Sequence, residues 1–582
     1  MTQKRPNFLV ILADDLGFSD VGCFGSEIHT PNLDKLAREG TRFSDYHTAS
    51  ACSPTRSILL NGTDAHLAGL GVMYEFIASS TIARDPERWN KPGHEGYLNH
   101  DVAALPEVLQ DAGYHTLLSG KWHLGFKEGF IPAGRVFDKS WALLPGCSNH
   151  FGWEPAYDEA GRPKVVGHHP PLCVDQATRY MVCMIFFERV GSKVNKTRST
   201  PNKTNSPDGF YSSQFYVDNL LRYFHEPVLR LQRLENLKKL GLIPKDVDPA
   251  EVVANGAKNG EEMSVWEKKI GMVHAMDRDI GKVVDYLEKN GELDNTVVIF
   301  MSDNGAEGAA LVSEATPTMG PRLLETIDKY YDNSYENLGN HNSFIWYGPQ
   351  WSQASTAPNR LMKAFSTEGP SSPVVSLSSF SLFSLTLVIR RDQSTYAHPI
   401  PGLQSPSSRL HSPPAWTLCP LSSTSRALNI PTSPTERVPY RGHQVYPVSG
   451  KSWVPDLRDG HTFTDKDGDE SEAVHGENDH PVGWELHARA ALRKDRWKIV
   501  NQPLGEHGTG GWELYDLSTD RGEKHYLAQK LPDKLKELVA DWGRYEEETG
   551  TVFGLPIKHV RGHGELIRKE NVSGDVVEDQ KA

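Results

Sequence analysis

Phe8-Leu9-Val10-Ile11-Leu12-Ala13-Asp14-Asp15 opens the readable part of the chain. An uninterrupted apolar run of this length, without polar alternation, is the pattern of a strand covered on both faces, as in an α/β sheet. Val297-Val298-Ile299-Phe300-Met301 repeats the pattern and ends two residues later on Asp303-Asn304. Between the two runs the periodicity becomes helical. Leu105 to Ala112 carries Pro106 near its start and Gly113 at its end, the usual asymmetry of a helix. Ser264 to Lys289 places Trp266, Ile270, Val273, Ile280, Val283 and Leu287 on one stripe. Alternating helices and buried strands predict an α/β domain with its chemistry at the carboxyl ends of the strands.

The C-terminal part has a different rhythm. Ala490 to Val500 and Gly511 to Leu517 read as short amphipathic strands around Trp497 and Trp512. Pro532 opens a helix with the stripe Leu535, Leu538, Val539, Trp542 and Tyr545. The expected fold class is therefore α/β: a large mixed, mostly parallel sheet sandwiched by helices, followed by a smaller antiparallel sheet with one covering helix. The expected division is 5–440 for the large domain, 441–560 for the smaller one and 561–582 for a flexible tail.

Composition narrows the function. The 582 residues carry a net charge of -13, with 38% hydrophobic and 24% charged residues. No overall basic field exists to neutralise nucleic-acid phosphates. No apolar run approaches the roughly 18 residues of a membrane span. Phe8 to Ala13 is too short for a signal core and leads into aspartates instead of a cleavage site. The expectation is a cytoplasmic chain with neither nucleic-acid nor membrane partners; Asn195 and Asn202, in Asn-x-Thr contexts, would suggest secretion only together with a signal peptide. Six cysteines without a Cys-x-x-Cys pair make no disulfide framework.

Two stretches differ from the rest. From 370 to 435 the chain is rich in Ser and Pro, and Asp392 is its one carboxylate. It reads either as a flexible loop or as out-of-frame or unspliced translation. Residues 177–206 also look foreign, with Tyr180 to Phe187 apolar and a basic, polar run behind them.

Three groups of residues carry chemistry. Asp14-Asp15 and Asp303-Asn304 would meet at one sheet edge if their strands are neighbours, giving oxygen ligands for a hard divalent cation; a capping or turn role is the competing reading. Lys121 and His123 alternate around Trp122, so both could face one side and hold an anion or move a proton; surface charges flanking a buried Trp are the alternative. In Cys52-Ser53-Pro54-Thr55-Arg56 the cysteine stands at a helix start, where backbone N–H groups favour an anion.

This run resembles the type I sulfatase signature, Cys-x-Pro-x-Arg followed by Thr-Gly, with Asn61-Gly62 standing at the Thr-Gly position. The resemblance extends over Asn7 to Asp15, His47 to Gly69, Asn99 to Gly125, Leu234 to Glu307, Tyr330 to Gly369 and Gly450 to about Thr551. It points to cytosolic bacterial-type arylsulfatases and an alkaline-phosphatase-like fold. The resemblance implies that Cys52 is oxidised to formylglycine by a modifying enzyme and that the hydrated aldehyde attacks the sulfur of a small sulfate ester. It implies Ca²⁺ held by Asp14, Asp15, Asp303, Asn304 and residue 52. Arg56 and Lys121 would hold the hydrate, His123 would be the base and Lys363 would bind sulfate.

One expected part is missing. A family histidine in a Pro-His-x-Pro-like loop, the general acid, has no clear counterpart between Tyr211 and Arg230, and His225 is a poor match. The sheet strands normally contributed near there and after Gly369 are expected to be lost. Two alternatives stay open: a phosphonate or phosphodiester hydrolase of the same superfamily, and an inactive binding protein on the same scaffold.

Overall fold

The computed structural model describes residues 6–43, 46–79, 93–146, 183–189, 237–240, 259–308, 327–334, 337, 340, 342–343, 348–369, 374–378, 388–390, 409–410, 437–448, 450–452, 481–504 and 507–553. His225, Asn195, Asn202, the tail and most of 177–206 and 370–435 lie outside them.

The apolar runs become β1 (Asn7–Ala13) and β6 (Thr296–Ser302), both buried along their whole length. They pair in parallel, with Ala13 opposite Ser302, so Asp14-Asp15 and Asp303-Asn304 emerge level at one edge. The period of two then divides the core. Phe8, Val10 and Leu12, with Val297, Ile299 and Met301, face α2 (Cys52–Asn61) and α4 (Leu105–Asp111). Leu9 and Ile11, with Val298 and Phe300, face α1 (Pro31–Glu39) and α5 (Asn259–Lys289). On α5 the buried stripe runs through Val273, Met276, Ile280, Val284 and Leu287, with Val283 at its margin. α3 (Tyr74–Ser79) lies between α2 and α4 in the chain, and α6 (Pro349–Ser355) buries Trp351 against the α1/α5 side.

The large sheet also contains β2 (Thr41–Phe43), β3 (Tyr114–Lys121), β4 (Lys139–Leu143), β5 (Cys183–Arg189), β7 (Val374–Ser378) and β9 (Arg409–Leu410), in the order β4-β3-β5-β1-β6-β7-β2-β9. All except β5 and β7 run in the direction of β1. The strand expected to be lost between Tyr211 and Arg230 would lie outside the described residues. The two compositionally odd stretches supply β5 and β7, and each fills a gap antiparallel to both neighbours. A strand in either direction satisfies the ladder N–H and C=O groups. β8 (Val388–Arg390) pairs with β12 (Gly450–Ser452), and β10 (Val438–Tyr440) with β11 (His443–Val445).

The C-terminal module is an antiparallel meander of β13 (Val482–Leu486), β14 (Arg489–Lys494), β15 (Trp497–Asn501) and β16 (Trp512–Asp516). Helix α7 (Pro532–Thr549) covers one face through Leu538, Trp542 and Tyr545. The other face, with Trp484 and Tyr515, includes a direct link to the large domain, where Trp484 Nε1–H donates to the Thr48 carbonyl at 3.0 Å. Among the described residues no helix is long and apolar enough to cross a membrane.

Candidate active site

Helix α2 is buried over all ten residues and begins on Cys52. Pro54 sits in its first turn, where no intrahelical N–H bond is needed. Gly62 closes it at φ 69°, donating to the Ile58 carbonyl. Asn61 also serves this end: its side-chain amide bonds the Ser57 carbonyl, and its Oδ1 accepts the Thr63 N–H at 2.6 Å. The departure from Thr at this position thus falls on helix termination, away from the reacting end.

Around Cys52 the sequence-distant groups converge. Its Sγ lies 3.4 Å from Asp14 Oδ1 and 3.8 Å from Asp15 Oδ1. Lys121, at the end of β3, places Nζ 2.7 and 2.9 Å from the Asp14 oxygens. Arg56, one turn into α2, donates through Nε to Asp303 Oδ2 at 2.9 Å and through Nη1 to the Lys121 carbonyl at 2.9 Å, with Nη2 in ion-pair range of Asp303 Oδ2 at 2.8 Å. Lys363 Nζ is 2.7 Å from Asp15 Oδ1 and 3.0 Å from Glu307 Oε2. Its loop is docked by the Lys363 N–H on the Ala306 carbonyl and the Ala364 N–H on the Ser50 carbonyl. His123 follows β3 at φ 59°, and its carbonyl accepts the Ser53 hydroxyl at 2.9 Å.

Asp14, Asp15, Cys52 and Asp303 each offer a ligand atom, all within 4.8 Å of one another. Asn304 Nδ2 donates to Asp15 Oδ1 at 2.7 Å, while its buried Oδ1 has no hydrogen-bond partner. Three carboxylates and an orphaned amide oxygen make a hard-donor set, so these residues could hold a divalent cation.

The electrostatics are those of a compact ionic lattice. Burial works to raise the pKa of Asp14, but Lys121, Arg56 and Lys363 outweigh it and hold the carboxyl well below the usual range. Burial, reinforced by the charge of Asp14, pushes Asp303 upward, the mark of acids crowded into a site that added positive charge would relieve. Against burial, Asp14 holds Lys121 protonated, and Asp15 with Glu307 does the same for Lys363. Burial and then Asp303 push the Cys52 thiol well up. A thiol so held is a weak nucleophile.

The structure thus brings together Asp14, Asp15, Cys52, Arg56, Lys121, His123, Asp303, Asn304 and Lys363. Two acids escaped sequence reasoning. Glu307 is four residues beyond Asp303 on the same loop, and that nearness in the chain was the signal that could have found it. Glu75, bonded to His123 through Nε2 and Oε2 at 2.9 Å, sits in a stretch with no pattern to mark it.

A family model for sulfatases matches residues 6–368. The chain belongs to the sulfatase family. That membership makes it a sulfuric ester hydrolase, and formylglycine with a divalent metal is typical of the family. This sulfatase is 43% identical over 572 residues to an uncharacterized sulfatase of Schizosaccharomyces pombe, covering 94% of this chain and 95% of that one. It is 31% identical to an arylsulfatase of Klebsiella aerogenes, over 61% of this chain and 76% of that one. With the human N-acetylgalactosamine-6-sulfatase it shares 29% identity over 55% of this chain and 53% of the other.

Proposed function

We propose that this sulfatase hydrolyses aryl or alkyl sulfate monoesters at a formylglycine made from Cys52 by a modifying enzyme, beside one Ca²⁺. The observation that carries the reading is the lattice around Cys52: acids on two parallel strand ends, balanced by Arg56, Lys121 and Lys363. Formylglycine supplies an oxygen nucleophile in place of the buried, protonated thiol, and its hydrate has a second hydroxyl from which sulfate can later be released. Asp14, Asp15, Asp303, Asn304 and residue 52 would hold Ca²⁺, which would supply positive charge to a bound sulfate.

The chain's own groups then divide the work. Lys363 and Lys121 bring ammonium charge to a sulfate monoanion in a site shielded from water, where it counts most. Arg56, anchored on Asp303 and the Lys121 carbonyl, fixes the helix start against both strand ends. His123 accepts a proton from a hydroxyl at residue 52. Mass spectrometry of the peptide containing Cys52, combined with paired assays on a sulfate ester and a phosphonate monoester, tests the proposal. Unmodified cysteine from a host with a working modifying enzyme, or preference for the phosphonate, overturns it.

A further inference from the structure

The imidazole of His123 is buried and held from several sides. Nε2 lies 2.9 Å from Glu75 Oε2, and the other carboxylate oxygen, Oε1, accepts the Gly146 N–H at 3.2 Å. Gly146 lies against the ring: a Cβ there would come 2.8 Å from Cε1 and 2.9 Å from Nε2. The His123 carbonyl is tied to Ser53, the residue after Cys52. Nδ1 is buried and has no hydrogen-bond partner.

A neutral imidazole has one N–H, and the partner of each nitrogen decides where it resides. Burial works against an ionised Glu75, but His123 outweighs it and holds the carboxyl at about 2. An ionised carboxylate only accepts, so the proton belongs on Nε2 and the lone pair on Nδ1. We infer that Glu75 is a positioning residue that fixes His123 as the Nε2–H tautomer, leaving Nδ1 as the proton-accepting atom. When Nδ1 takes a proton from a hydroxyl at residue 52, the ring becomes an imidazolium whose second N–H is already paired with Glu75. Burial keeps the free ring neutral below its ordinary pKa; Glu75 opposes this, and Lys121 and Arg56 reinforce it. The donor to Nδ1 rests on the sulfatase reading above, whereas the tautomer is a property of the fold.

Histidine-selective ¹⁵N NMR tests this on the full chain carrying unmodified Cys52, where no turnover is needed. Wild type should show His123 protonated at Nε2 and bare at Nδ1. Glu75→Gln should mix the tautomers, since the acceptor that holds the proton on Nε2 is gone. Glu75→Asp should keep the wild-type tautomer. On converted enzyme, Glu75→Gln should lower kcat about 10²-fold, within the range of general-base catalysis, with KM changed less than about threefold and the acid limb moved to lower pH. An Nδ1–H ring in the wild type overturns the inference, as does a Glu75→Gln variant with unchanged tautomer. An Nε2–H ring in a protein that cleaves no sulfate ester leaves the inference standing and counts against the sulfatase reading alone.

Discussion

Lys498, on β15 of the C-terminal module, donates to Glu368 in the loop that carries Lys363, with Nζ 2.7 Å from Oε1 and both side chains almost wholly buried. The same ammonium is 3.0 Å from Glu523, which also accepts from Arg360 at 3.1 Å. Arg489 adds a bond to the Ala364 carbonyl, next to Lys363. The small module therefore serves the site at a distance by holding residues 360–369 in one conformation.

Removing one member of this network strands a buried charge. Lys498→Met should cost about 3–5 kcal/mol of stability and also reduce sulfate-ester affinity through the Lys363 loop. Denaturant unfolding measures the first effect and KM the second. Adding Glu368→Gln should recover part of the stability loss, and a purely additive double mutant would contradict the coupling.

The Lys363 ammonium bonds two acids at the site, Asp15 and Glu307. Lys363→Ala should lower kcat/KM by about 10²–10³-fold, as for loss of one charge-stabilising donor, while leaving the formylglycine content of residue 52 unchanged. Steady-state kinetics and peptide mass spectrometry read the two quantities separately.

Calcium should stabilise the protein as well as support turnover. At a hundred times its Kd, a ligand of the folded state adds about 2.7 kcal/mol, so CaCl2 should raise the melting temperature and a chelator should lower both melting temperature and activity. Asn304→Ala, which removes the orphaned amide oxygen, should weaken the response. A melting temperature indifferent to Ca²⁺ would argue against the cation.

His66 gives a pH dependence unrelated to catalysis. It lies between Asp64, 2.9 Å from Nδ1, and Glu485 of β13, 3.3 Å from Nε2, and Tyr545 of α7 donates to Asp64 at 3.0 Å. Burial opposes the imidazolium, but the two carboxylates win and raise its pKa from 6.5 to about 9. A group raised on folding contributes fully below its unfolded pKa and loses that contribution as pH climbs through the folded one. Stability should therefore fall by about 3 kcal/mol between pH 6.5 and pH 9. His66→Gln should flatten this slope in unfolding experiments run across the same range.

The cluster of Asp14, Asp15 and Asp303 was legible because each part is local: an apolar run says where a strand ends, and acids follow at once. The adjacency of β1 and β6 was a condition the sequence could state but not test. Glu75 was hidden because its partner is 48 positions away and its surroundings carry no periodicity. The same holds for Glu368, whose meaning depends on Lys498, 130 positions away. β13 was missed because its burial derives from packing against the large domain, at Trp484, and not from an alternating pattern. The reversed β5 and β7 lie in stretches whose composition gave no strand direction.

The closed packing around Cys52 imposes an order of events during synthesis. With the residue 2% exposed, the modifying enzyme of the proposed function has to reach it before the lattice assembles. Arg56 and its anchor Asp303 are separated by 247 positions. At about 5–20 residues per second, a ribosome takes roughly 10–50 s to bridge that gap. The late placement of β6 in the chain thus separates the synthesis of the cysteine from that of the carboxylate that anchors Arg56.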